Sequence, residues 1–281
     1  YLQLLADEFD GACSIGIDKN FPARFLMPLM DLVDECHFEL GSECVDRVRM
    51  VKDEKEQQLM IEASKINDLV VDEVINICAK GNLTEKEVSD QLAGIYQKHG
   101  CTGNSFEPIV AYGKNGADNH HSGDDSTLKP GDSIVIDIGG LYKGYCSDMT
   151  RTVFYKEVSP KQKAVYELVL KAQKAAEAMI KPGVRLCDID KCARDIIAEG
   201  GYTVEFNHRL GHFIGRDVHE WGDVSQNYDI EVQEGMTFSI EPGVYLQGEF
   251  GVRIEDLVLV TEDGCKVLNS YPKDLKVIGN D

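Results

Sequence analysis

"GDSIVIDIGGLYKGYCSDMTRTVF", residues 131–154, and "GMTFSIEPGVYLQGEFGVRIEDLVLV", residues 235–260, decide how this chain is put together. Each starts at a glycine, runs into a β-forming apolar stretch, places an acid where that stretch should stay apolar, turns through glycines and returns as a second strand. Gly131 lies six residues before Asp137, and Gly235 lies six before Glu241. An aspartate between isoleucines is costly in a central strand unless something compensates its charge. Eleven residues after Asp137 the chain reaches Asp148, and strand alternation puts Asp148, Thr150 and Thr152 on one face. A hairpin through Gly139–Gly140 and Gly144 then sets the two aspartates facing each other. In the second segment Pro242–Gly243 turns the chain, and Arg253, Glu255 and Leu257 share a face opposite Ile254 and Asp256.

Outward from these segments the order repeats. Leu59, Ile61, Ile66, Leu69, Val70 and Ile75 recur at helical spacing up to a stop at Gly81. "NLTEKEVSDQLAGIYQKHG" follows, with a Thr N-cap, a Glu three residues on and a closing Gly100. Before the second hairpin, "KQKAVYELVLKAQKAAEAMIKPG" ends at Gly183 and "VRLCDIDKCARDIIAEG" closes at Gly200. Helix–helix–strand–strand therefore occurs twice, which predicts an α+β domain of two pseudo-symmetric halves rather than a solenoid. Residues 1–47 carry short apolar runs such as "ACSIGI" and "FLMPLMDLV" and read as the last part of a small α/β unit. A linker is expected at 48–54, with the repeated domain at 55–281.

Composition narrows the setting. The chain has 281 residues, 43% of them apolar, and no apolar run long enough to span a bilayer, so no membrane is expected as partner. A formal charge of −20 argues against nucleic acid or anionic lipid. The start lacks a basic n-region and an unbroken apolar h-region, so it does not read as a signal peptide, and without an initiator Met it reads as beginning inside a longer protein. Nine scattered cysteines without a CxxC pair read as reduced residues of a cytoplasmic protein.

The two hairpins would aim Asp137, Asp148, Glu241 and Glu255 at one centre. Four carboxylates repel strongly in a low-dielectric site, and two divalent cations would cancel their formal charge. Oxygen-rich coordination with one imidazole suits Mn, Co, Fe or Zn. Such a pair polarises carbonyls and makes hydroxide near neutral pH, so the candidate chemistry is hydrolysis. "HRLGHFIGRDVHE", residues 208–220, supplies three of the seven histidines. On its own this stretch fits metal binding, proton transfer or a capped polar loop. His37 and His99 lie outside every motif and are expected at the surface.

Asp137, Asp148, His212, Glu241 and Glu255, with "SDMTRT", "SIEPGVY" and "VRIED" around them, resemble the ordered Asp–Asp–His–Glu–Glu ligands of the pita-bread metallopeptidases. That group includes methionine aminopeptidase, prolidase and aminopeptidase P, and the resemblance spans roughly residues 50 to 275. It implies a curved antiparallel sheet between the two halves and two divalent metal ions, Mn first, held by those five residues. It makes Glu241 the general base and His120 an active-site histidine, with His121 beside it as the competing choice. His208 and His219 become pocket residues that hold substrate or stabilise an oxyanion, and Arg253 and Tyr245 lie near the substrate. The motif versions and the N-terminal unit are closest to prolidase and aminopeptidase P, which implies cleavage before proline in short peptides and a homodimer. The alternatives are a methionine aminopeptidase-like enzyme, which lacks the N-terminal unit, a creatinase-type hydrolase without metals, and a binding relative that has lost ligands. Arg209, Phe213 and the absence of a proline soon after "VHE" depart from the family pattern at the pocket wall.

Overall fold

The computed structural model describes residues 1–9 and 14–280, so Ala12 and Cys13 of the "ACSIGI" run lie outside the described residues. The chain forms two compact units, Tyr1–Arg49 and Met50–Asp281. In the first, helix α1 (Leu2–Glu8) precedes strand β1 (Ser14–Ile17), helix α2 (Ala23–Leu32), strand β2 (His37–Leu40) and helix α3 (Ser42–Met50). β1 and β2 pair in parallel, and α2 makes the crossover that a parallel pair needs. His37 is exposed. Within residues 48–54, α3 runs to Met50, Val51 bridges to Met236, and the Lys52 N–H donates to the Gly235 carbonyl at 2.8 Å.

The second unit opens with α4 (Glu54–Ala79), where Asp53 caps the first turn and Glu56 completes a capping box. Gly81 takes φ +64° just beyond its end, a conformation open to glycine at little cost. α5 (Glu85–Lys98) starts from the Thr84/Glu87 box that the sequence announces. Strands β3 (Ile109–Tyr112), β4 (Ser133–Ile138), β5 (Leu141–Tyr142), β6 (Tyr145–Cys146) and β7 (Met149–Tyr155) complete the first half. The second half repeats the pattern with α6 (Pro160–Met179) and α7 (Leu186–Glu199). Its strands are β8 (Gly211–His212), β9 (Asp223–Val224), β10 (Thr237–Ile240), β11 (Gly243–Leu246), β12 (Phe250–Arg253) and β13 (Asp256–Val260). β14 (Cys265–Val267) and β15 (Val277–Ile278) follow.

β4 pairs antiparallel with β7, and β10 pairs antiparallel with β13. Each pair is interrupted at its turn end by a small ribbon, β5–β6 in one half and β11–β12 in the other. Lys143 and Gly144, with φ 49° and 83°, form the two-residue turn between Tyr142 and Tyr145. Asp137 stands opposite Thr150 rather than Asp148, because Asp148 lies one residue before β7 begins. α4 and α5 pack on β3, β4 and β7 through Val70, Leu92 and Ile134, all fully buried. α6 and α7 pack on the second half through Val169, Ile189 and Phe238. Each such aliphatic side chain contributes about 1.5–3 kcal/mol on burial.

The halves join along β7. The Glu255 N–H donates to the Thr150 carbonyl at 3.1 Å, and the Thr152 hydroxyl bonds both the carbonyl and the N–H of Arg253. The antiparallel sheets thus form one curved wall with a helix pair behind each half. Behind the wall, Asp256 lies between Arg151 (2.7 Å) and Lys273 (2.6 Å), and Lys273 also pairs with Glu177 at 3.0 Å.

Candidate metal centre and its cleft

A cleft of about 750 Å³ opens on the concave side of the sheet and collects Asp137, Asp148, His212, Glu241 and Glu255. Asp137 sits near the end of β4 and Asp148 just before β7, so the ribbon between them brings one chain back to the same place. Glu241 follows β10 and Glu255 precedes β13, the equivalent positions of the second half. His212 arrives on β8, which lies against β10. Its N–H donates to the Ser239 hydroxyl at 3.0 Å, and the Glu241 N–H donates to the Leu210 carbonyl at 2.8 Å. Gly211 permits this approach, since a Cβ there would stand 1.8 Å from the Ser239 carbonyl oxygen.

Nδ1 of His212 lies 3.1 Å from the Phe213 carbonyl, so that nitrogen carries the proton and Nε2 turns toward the acids. Nε2 stands 3.4 Å from Asp148 and 3.7 Å from Glu241. Asp148, His212 and Glu255 each bring one ligating atom within 4.8 Å of the other two. Oδ1 of Asp137, Oδ1 of Asp148 and Oε1 of Glu255 are buried without a hydrogen-bond partner. Orphaned carboxylate oxygens are expensive in an interior, and three converging on one cleft need a cation. The protonation energetics agree. Burial, and then neighbouring carboxylates, hold Asp148 and Glu255 well above the usual carboxylate range. Burial pushes Glu241 up to about 7. The donor set, four carboxylates and one imidazole, fits hard or borderline divalent cations.

Around this centre the remaining expected residues take distinct places. Arg253 is 2% exposed and fully engaged: Nη2 donates to Asp137 at 2.7 Å, Nη1 to the Tyr245 hydroxyl at 2.8 Å and Nε to the Thr150 hydroxyl at 3.0 Å. Thr150 in turn donates to Glu255 at 2.7 Å. His208, expected to meet the substrate, has both ring nitrogens occupied in the resting protein. Nδ1 lies 2.6 Å from the Arg209 carbonyl and Nε2 lies 2.9 Å from the Tyr245 hydroxyl. Burial, then the Arg253 charge, pushes His208 down to about 3, so it is a neutral ring that accepts from Tyr245. His219 packs edge-on against His212, with ring centroids 4.4 Å apart, and burial followed by the His212 charge lowers it to about 4. His120 and His121 both line the cleft, but the His121 ring is tied to Glu85 at 2.7 Å. His99, expected at the surface, is half-buried against Glu73 at 2.6 Å because the end of α5 packs beside α4.

Sequence reasoning passed over two supporting acids. Glu85 is fully buried; its carboxylate accepts from the Tyr112 N–H (2.6 Å), Asn115 (3.0 Å) and the Asp124 N–H (3.0 Å) besides meeting His121. Glu85, His121 and Asp124 also cluster within 4.8 Å, but Glu85 is saturated by protein donors, so the group reads as a clasp for the loop carrying His120. Glu220, next to His219, forms a 2.8 Å ion pair with Lys52, and their side chains are 3% and 1% exposed. At the first position of a capped helix, Glu85 looks like a partner for the helix dipole, so no local signal marks its second role. The "HE" pair of "VHEWG" was the available signal for Glu220.

A two-half α+β fold with an acid-lined cleft on its concave face is the pita-bread architecture of metallopeptidases. The model of metallopeptidase family M24 matches residues 58–262. The Bacillus subtilis protein YkvY is 44% identical over 241 residues, covering 86% of this chain and 66% of its own length. The Xaa-Pro dipeptidase of Pyrococcus horikoshii is 38% identical over 273 residues, 96% of this chain and 78% of that protein. The solved Xaa-Pro dipeptidase from Bacillus anthracis superposes with a TM-score of 0.94 at 33% identity, covering 99% of this chain and 78% of the other. The chain belongs to metallopeptidase family M24.

Proposed function

We propose that the protein is a dinuclear-metal peptidase that hydrolyses the bond before proline in short peptides. The observation that carries this reading is the set of unpartnered carboxylate oxygens on Asp137, Asp148 and Glu255, facing His212 and Glu241 in a member of family M24. Relatives named Xaa-Pro dipeptidase support the substrate class. Asp137, Asp148, His212, Glu241 and Glu255 would hold two divalent ions, Mn first and Co, Fe or Zn as alternatives. Bound cations supply Lewis-acid polarisation of the scissile carbonyl and of the attacking water.

The chain's own groups do the rest. Glu241, accessible to the cleft, takes the proton of the attacking water and passes it to the leaving nitrogen. His219, a neutral imidazole, and His120 face the substrate carbonyl and stabilise negative charge there. His208 fixes Tyr245, Tyr245 and Thr150 fix Arg253, and Arg253 orients Asp137, so this chain of hydrogen bonds keeps the site in register. Residues 1–47 are read as the C-terminal part of a creatinase-like N-terminal domain, with 48–54 as its connection to the catalytic part. The protein is further read as a cytoplasmic homodimer; the eight described cysteines are all free thiols, which suits a reducing compartment. Light scattering tests the dimer.

The test is hydrolysis of Xaa-Pro peptides and of N-terminal Met peptides by metal-stripped protein, before and after Mn(II), with Asp148→Ala as control. Mn-dependent release from Xaa-Pro substrates, lost in the variant, is expected. Preference for Met peptides, or turnover without metal, overturns the reading.

A further inference from the structure

The cleft wall carries two arginines, and they are engaged very differently. Arg253 spends all three nitrogens on Asp137, Tyr245 and Thr150. Arg209 makes one hydrogen bond among the described residues, from Nη1 to Asp223 at 2.8 Å, and its side chain is 35% exposed. The register of β8 and β9 explains where it points. His212 stands opposite Asp223, and cross-strand partners share a face of the ribbon. Asp223 therefore lies on the His212 side, and its ion pair draws Arg209 to the rim of the cleft it lines. A guanidinium held at one nitrogen keeps Nε and Nη2 for a ligand, and its fork geometry matches a carboxylate.

The position is informative because of the charge around it. Glu107, Asp137, Asp148, Glu241 and Glu255 line the same cleft, so a negatively charged substrate end needs a dedicated cation. In a dipeptide the free carboxylate lies one residue beyond the scissile bond, about 3.5 Å of chain away. In a longer peptide an uncharged amide stands there. Arg209 is flanked in sequence by His208 and Leu210, three residues before the centre's imidazole at His212.

We propose that Arg209, tethered by Asp223, binds the free C-terminal carboxylate of the substrate and so sets a preference for dipeptides. This rests on the Xaa-Pro peptidase reading above. The experiment compares kcat and KM for Ala-Pro and for its C-terminal amide, using the Mn(II)-loaded protein, Arg209→Met and Arg209→Lys. The wild type is expected to prefer the free acid. Arg209→Met should cut that preference roughly tenfold to a hundredfold, the scale of losing a hydrogen bond to a charged group, mainly through the KM of the free acid. Arg209→Lys, which keeps the charge without the fork, should retain part of the preference, while a variant that merely misfolds loses both substrates in parallel. An acid-to-amide ratio unchanged by Arg209→Met, or a wild type that cleaves both equally, overturns the proposal. A wild type that cleaves neither brings down the peptidase reading itself, and this proposal with it.

Discussion

Glu255 and Asp256 are neighbours in sequence, both essentially without exposure, and they point to opposite sides of the sheet. Asp256 lies in a balanced cluster. Two acids, Asp256 and Glu177, face two bases, Arg151 and Lys273, and Gln173 donates to both carboxylates at 2.9 Å. Glu255 lies in an unbalanced one, where four acids share one directly paired guanidinium among the described residues, that of Arg253, and three carboxylate oxygens have no partner. A carboxylate that stabilises a fold is surrounded by its own chain's donors. A carboxylate kept for chemistry is left short of them, and the surrounding structure absorbs the cost.

The largest effect separating the two clusters comes from taking away metal. Chelation, or Asp148→Ala, should reduce Xaa-Pro hydrolysis roughly a thousandfold or more, the scale of removing an essential catalytic group. Returning Mn(II) to the chelated wild type should restore activity and raise its melting temperature, since a ligand at a thousandfold excess over its Kd stabilises by about 4 kcal/mol. Asp256→Asn breaks the other side. Arg151 loses its buried partner, so unfolding in urea should register a loss of about 3–5 kcal/mol. The folded fraction should still bind the same number of metal ions; altered stoichiometry would mean that the clusters are not separable.

Acidity sharpens the contrast. Burial, then Asp256, pushes Glu177 up to about 7, above the 4.5 of a free glutamate. An acid whose folded pKa is raised binds its proton more tightly when folded. Its contribution is fully present below about 4.5 and is lost as pH rises through about 7. Stability measured by urea titration should fall across that window by about 1–2 kcal/mol, discounted from 1.4 kcal/mol per unit, and Glu177→Gln should flatten the fall. The smallest effect is at Thr150, which donates to Glu255 and accepts from Arg253. Thr150→Val should cost about 1 kcal/mol in a thermal melt, with metal still bound.

Much of this was legible beforehand, for a definite reason. Asp137 and Glu241 stand out because an acid in an apolar strand violates the period that defines the strand, and the equal offset from a glycine marks the repeat. Thr84 with Glu87 announces α5 because capping is local chemistry. Pairings across long separations left no such trace. Lys52 and Glu220 are 168 residues apart, and Arg151 meets Asp256 across 105. The two-residue strands β8 and β9 are too short to show a period, so the register placing Asp223 beside His212 was invisible. The engagement of both His208 nitrogens depends on where Tyr245 falls, which spacing alone does not give.

The five expected ligands come from both halves of the repeat, Asp137 and Asp148 from one and His212, Glu241 and Glu255 from the other. Neither half alone supplies all five. The complete site therefore depends on the seam at β7, which brings residues more than a hundred positions apart in sequence into one cavity. If the five residues hold metal as proposed, its uptake would report that the two parts have docked in register, like an inspection stamp.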